Sequence, residues 1–164
     1  MSLVVDPDDT ASAEFQLQQG AAGSYVGQIA IDFTLEDDFA ADISLHNYRG
    51  RIVILSFFFS RCQPCMAEFP EIEEIYQEYA NHGVRVLGID TMWFGEQLAD
   101  VQNVRSSLGL TFNLLLDYGA VVTQQYSIAG CPTNIIIDRG GEIVSRLGST
   151  SYSELAGILD GLLN

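Results

Sequence analysis

With 164 residues, 48% of them hydrophobic, and a formal net charge of −15, the chain is long enough for one domain around one sizeable core. It is too acidic for a nucleic-acid surface or an electrostatic hold on anionic lipid. All 7 basic residues are arginines, and no apolar run approaches the ~20 residues that span a bilayer.

Residues 1–24 are polar and acidic and close on a small-residue stretch, so they read as a flexible leader ahead of a domain over residues 25–164. The sequence as it stands opens without a basic, apolar signal-peptide pattern, which leaves room for a native signal or anchor ahead of it. Residues 29–35 alternate enough for a short strand; 37–41 make a turn; 43–45 suit a second short strand; 47–50 carry turn chemistry. Residues 51–59 are a β-branched and aromatic run that suits a strand buried on both faces.

Ser60 and Arg61 break that run, and the period then changes. Phe69, Ile72, Ile75, Tyr76 and Tyr79 fall at helical spacing from Cys62 onward, with Glu71, Glu73, Glu74 and Glu78 between them. Asn81-His82-Gly83 is a helix stop. Residues 84–90 are a strong strand, 91–95 a loop carrying Trp93, and 96–108 a helix whose apolar face is Leu98, Val101, Val104 and Leu108. A short strand over 112–116 and a short helix over 119–126 follow. Strands over 134–138 and 142–147 flank the hairpin turn Arg139-Gly140-Gly141, and a helix over 151–163 presents Leu155, Ile158, Leu159 and Leu162 on one face. This alternation predicts an α/β fold with a mixed central sheet and helices on both faces.

The Cys62-Gln63-Pro64-Cys65 motif sits where the buried strand turns into the amphipathic helix. The first amides of a helix lack intrahelical partners and carry the positive end of the dipole, which stabilises a thiolate, the nucleophile of disulfide exchange. Cys62 is expected at the exposed helix start and Cys65 deeper. Pro64 costs little in a first helical turn because the missing N–H has no partner there anyway. The other reading is structural cysteines or part of a metal site. A closed zinc site needs four ligands, and the chain offers only Cys131, His46 and His82 besides the pair. His82 reads as a last-turn helix cap and His46 as part of a surface lead-in.

RCQPCMAEFP after a strand of the SFFF type resembles the thioredoxin-like thiol:disulfide oxidoreductases of the TlpA/ResA (redoxin) group. The resemblance runs from about residue 26 to the C-terminus and includes DFTLED, VRVLGID, LLLD and GCPTNIIID. It implies the thioredoxin fold with N-terminal strands and a central βα insertion. It also implies a cysteine pair that is the whole redox centre, with no cofactor and no metal. Its partners would be a protein dithiol or disulfide substrate and an upstream thiol redox partner. An extracytoplasmic location and reductive work, such as keeping apocytochrome c cysteines reduced, are further implications.

By that resemblance Cys62 is the nucleophile, Cys65 resolves the mixed disulfide, and Gln63 and Pro64 contact the substrate. Arg61 stands where the group usually has tryptophan. Its guanidinium favours a thiolate but puts the usual flat aromatic docking surface in doubt. Glu68 matches the group's glutamate and is expected to exchange a proton with Cys65, since Ser56 occupies the place of the buried aspartate of thioredoxins proper. Pro132 matches the cis-proline that faces the motif, leaving the backbone of Cys131 free to pair with an extended substrate. Cys131 departs from the group; a small buried residue, a third redox thiol and a soft metal ligand are its three readings. Two other functions remain open on the residues. A peroxiredoxin-type peroxidase would want a proline at Ser56 and a cysteine at Gln63. A copper or other metal carrier would use the cysteine thiolates.

Overall fold

A computed structural model describes residues 21–164, and the leader reading lies outside the described residues as far as Gly20. The strands are β1 (Ala22–Gly23), β2 (Ile29–Ala30), β3 (Thr34–Asp37), β4 (Asp42–Ser44), β5 (Ile52–Phe58), β6 (Val84–Asp90), β7 (Asn113–Leu116), β8 (Thr133–Ile137) and β9 (Ile143–Leu147). The α-helices are α1 (Gln63–Tyr79), α2 (Leu98–Leu108), α3 (Val121–Gln125) and α4 (Tyr152–Leu163). Ala22–Gly23, inside the stretch read as leader, pairs in parallel with Ile29–Ala30.

The seven-stranded sheet runs β4-β3-β7-β6-β5-β8-β9. β5, β6 and β7 are mutually parallel, and the remaining pairs are antiparallel. Every residue of β5 is buried, as expected for a strand covered on both faces. Its alternation divides two cores. Ile52, Ile54 and Phe58 pack with Phe69, Ile72 and Ile75 of α1, Val101 of α2 and Leu155 and Leu159 of α4. Val53, Leu55 and Phe57 pack on the opposite face with Leu45, Val122, Tyr126 and Ile135. The α2–β7 unit is the insertion between β6 and the closing hairpin.

Three local features depart from the expected pattern. The strand expected over 29–35 is split into β2 and β3, with Asp32 Oδ1 accepting from Phe33 N and His46 N between them. The helix expected from Glu96 starts at Leu98. Gln97 caps it, its amide donating to Asp100 Oδ2 at 2.8 Å, while Glu96 turns back to accept from Phe94 N. Leu98, expected on the apolar face, is in the first turn and 40% exposed. Ahead of α3, buried Asp117 accepts from Val122 N, Thr123 N and Thr123 Oγ1, doing the work of an N-cap from a distance.

Two long-range ties hold the periphery. Arg105 of α2 grips Asp38 with Nε and Nη2 at 2.5 and 2.9 Å and also donates to the carbonyls of Leu110 and Phe112. The segment ahead of β3 lies along β9: Gly27 N donates to Ile143 O, Ile143 N to Gln28 O and Ala30 N to Gly141 O, each at 2.9 Å.

Candidate active site

The C-terminal end of β5 delivers the chain into α1 through Phe59, Ser60 and Arg61. Cys62 is the N-cap of α1, in extended conformation, and Pro64 lies in the first turn. Cys62 and Cys65 form a disulfide with Cα atoms 5.2 Å apart. The Cys65 amide, one of the unpaired donors of the helix start, points at Cys62 Sγ from 3.3 Å. Arg61, Gln63 and Pro64 are exposed around the pair. Cys62 itself is not: it is 4% exposed against 0% for Cys65. The expected exposed cysteine is a buried one because, as N-cap, its sulfur turns inward toward the Cys65 amide and sits 3.8 Å from the Cys131 carbonyl.

That carbonyl belongs to a loop ahead of β8 in which the Cys131–Pro132 peptide is cis. Cys131 carries a free, half-buried thiol. Burial, followed by the negative charges of Asp90 and Glu96, pushes this thiol up to about 12. It is therefore a protonated thiol at neutral pH.

On the α1 side, Glu68 is buried one turn beyond Cys65 and on the same helix face. Its Oε1 accepts from Asn134 Nδ2 at 2.6 Å and its Oε2 from Thr150 N at 3.0 Å. Asn134 is paired opposite Ser56 across β5 and β8, so both side chains face α1. Burial raises the Glu68 pKa above the ordinary carboxylate value, against the pull of those two hydrogen bonds. The carboxyl is thus suited to hold a proton beside the cysteine pair.

Sequence reasoning assigned no role to Asp90, the last residue of β6. It is fully buried, accepts from Ser60 Oγ at 3.0 Å and Met92 N at 2.9 Å, and acts on the Cys131 thiol through its charge. Burial above all, with Glu96 adding repulsion, raises its pKa from 3.8 to about 7. The available signal was an acidic residue directly after the apolar, buried run Val86-Leu87-Gly88-Ile89. Such a group stays protonated in the folded protein after it has ionised in the unfolded chain. Its contribution to stability is fully present below the unfolded value of 3.8 and is lost as pH rises through about 7. Asp90→Asn keeps the acceptor for Met92 N and removes the titration. The expected result is a flatter fall in stability between about pH 4 and 7, the span of the Asp90 shift, in urea melts; an unchanged slope contradicts it.

The histidines lie at the other end of the sheet. His46 precedes β5 and pairs with Asp32 at 2.8 Å, and His82 ends the 3-10 turn that closes α1. Among the described residues no group of three or more His, Cys, Asp or Glu side chains is arranged to hold a metal ion. No helix among them is long and apolar enough to cross a membrane. Arg61 makes no ion pair among the described residues.

Residues 26–146 match the profile of the AhpC/TSA family. The thiol-disulfide oxidoreductase ResA of Geobacillus kaustophilus is 33% identical over 129 residues, which cover 79% of this chain and 72% of that protein. ResA of Halalkalibacterium halodurans is 36% identical over 118 residues, covering 72% of this chain and 65% of that protein. Among solved structures, the thioredoxin domain of a thiol-disulfide oxidoreductase from Bacteroides vulgatus superposes with a TM-score of 0.74 at 24% identity, covering 88% of this chain and 100% of that one. StoA from Bacillus subtilis gives 0.68 at 25% identity over 77% of this chain and 95% of that one. The fold is the thioredoxin fold.

Proposed function

The chain belongs to the AhpC/TSA family and is a thiol-disulfide oxidoreductase, and from that premise we propose that Cys62 is the exchanging thiol, Cys65 the resolving thiol and Glu68 the proton holder. One observation carries the assignment. The Cys62–Cys65 disulfide lies at the start of α1 with Cys62 as N-cap, the Cys131 carbonyl above it and the buried Glu68 carboxyl behind it.

In the reduced protein the Cys62 thiolate attacks one sulfur of a substrate disulfide. A mixed disulfide forms, and the other substrate sulfur leaves as a thiolate. Cys65 gives its proton to Glu68, and its thiolate attacks Cys62 Sγ. The second substrate thiolate leaves, and the Cys62–Cys65 disulfide is formed. Two electrons pass from the cysteine pair to the substrate. The reverse sequence oxidises a substrate dithiol. Arg61, Gln63 and Pro64 form the exposed rim the substrate meets, and the backbone at Cys131 and Pro132 receives its extended segment.

The net direction in this reading is reductive, on protein disulfides of the kind formed between apocytochrome c cysteines. Each turnover leaves the protein oxidised, so an upstream thiol partner must return two electrons. The location is outside the cytoplasm, where substrate disulfides persist. The resemblance to the TlpA/ResA group supports these finer assignments. Equilibration with glutathione or a stronger dithiol buffer tests the direction. A potential near that of thioredoxin, about −270 mV, is expected; one near that of DsbA, about −120 mV, overturns the reductive reading.

A further inference from the structure

The loop from β6 to α2 places two aromatic side chains in water beside the cysteine pair. Phe94 is 67% and Trp93 37% exposed. Both rings lean on Phe59, with centroids 4.9 and 6.4 Å from it. Phe59 is three residues before Cys62, whose amide donates to the Phe59 carbonyl at 3.0 Å. Two other exposed aromatics are covered, Phe39 under the Arg105 guanidinium at 4.9 Å and Tyr25 under that of Arg146 at 5.0 Å, whereas Tyr118, 59% exposed, stands alone. Trp93 and Phe94 have no such cover among the described residues.

The loop is held in place. The Asp90 carboxyl grips Ser60 on the cysteine side and Met92 on the loop side. Thr91 N donates to Phe58 O, and Phe94 N donates to Glu96 Oε2, both at 2.9 Å. Met92 and Gly95 take left-handed conformations, with φ of 58° and 74°, which fold the loop back on itself. A rigid aromatic ledge therefore continues the surface that must meet the substrate sulfur.

We propose that Phe59, Trp93 and Phe94 form a docking platform for an extended polypeptide carrying an aromatic or branched aliphatic side chain next to its reactive cysteine. The proposal rests on Cys62 being the exchanging thiol. Backbone pairing at Cys131 gives no preference among side chains, and Arg61 removes the aromatic surface expected on its side of the motif. The platform supplies apolar area of its own, and Phe59 ties it to the cysteine pair through the hydrogen bond from Cys62 N.

The test uses the reduced protein and two synthetic peptide disulfides, each a homodimer of a short peptide, identical except for Phe or Ser beside the cysteine. Each turnover forms the Cys62–Cys65 disulfide and releases two peptide thiols. Burying part of one aromatic ring should favour the Phe peptide by about tenfold in kcat/KM. Phe94→Ser should bring that preference to within about twofold, while Phe39→Ser, away from the site, should keep it. The platform is overturned if the wild-type protein reduces both peptides equally, or if Phe94→Ser leaves the preference unchanged or slows both peptides alike. It is also overturned if Phe94→Ser only dissolves a dimer in sedimentation, which makes a second copy the occupant. A wild-type protein that reduces neither peptide overturns the assignment of Cys62 itself.

Discussion

Cys62→Ser is expected to abolish reduction of a protein disulfide, by at least about a thousandfold, while Cys65→Ser should perform the first attack and then stop as a mixed disulfide with its substrate. The difference follows from position. Cys62 is the N-cap, where its sulfur is met by the Cys65 amide at 3.3 Å. A thiolate there is stabilised by an unpaired helix amide and by the helix dipole. Cys65 lies at the foot of the first turn with no exposure and reaches only what Cys62 has already bound. Alkylation of the reduced protein at mildly acidic pH should therefore label Cys62 first; labelling of Cys65 first reverses the roles. Cys131 is not expected to take the place of Cys65 in Cys65→Ser. Its thiol is pushed up to about 12 by burial and by the charges of Asp90 and Glu96, so almost none of it is thiolate at neutral pH. Non-reducing peptide mapping of Cys65→Ser should show substrate joined to Cys62. A majority Cys62–Cys131 species makes Cys131 a third redox thiol instead.

Arg105→Ala should cost about 3–5 kcal/mol in stability, read as a fall in the urea midpoint. The guanidinium makes four hydrogen bonds: two to the Asp38 carboxylate and one each to the carbonyls of Leu110 and Phe112. The Asp38 side chain is 1% exposed, so removal of Arg105 strands a buried charge rather than deleting a surface pair. Arg105→Lys restores charge but not the two-pronged grip, and should recover only part of the loss. A loss under about 1 kcal/mol for Arg105→Ala would place the pair with ordinary surface ion pairs.

This tie also marks what the sequence could not disclose. Asp38 and Arg105 are 67 residues apart, and nothing local distinguishes either from the other charges on the chain. The same holds for β3, which pairs Glu36 with Leu116 of the insertion, because strand order depends on how the insertion packs. Elements with a strong local signature were legible. The apolar run of β5, the change of period at Cys62, the Gly140-Gly141 turn before β9 and the Leu155/Leu159 face of α4 each follow from sequence pattern alone. At the candidate site, the cysteine pair could be picked out from its motif at the strand-to-helix junction, and Glu68 from the resemblance to the TlpA/ResA group. Asp90 was not, since only the packed sheet shows that its carboxyl is buried beside Ser60 and the Cys131 loop. Cys62 was read as exposed because a helix start is normally wet; the neighbouring loop that covers it comes from 69 residues further along the chain.

The segment that lies along β9 has a consequence for self-association. β9 is an outermost strand, and an open strand edge is a template on which another copy can grow. Here Gly27, Gln28 and Ala30 already occupy the outward hydrogen-bonding groups at Gly141 and Ile143, and Arg146 draws the chain in at Ser24. The opposite border, β4, offers only three residues. Among the described residues neither rim presents a long run of free amides and carbonyls, and a net charge of −15 keeps copies apart. A thiol-disulfide oxidoreductase of this fold is thereby guarded from edge-to-edge growth into a fibril.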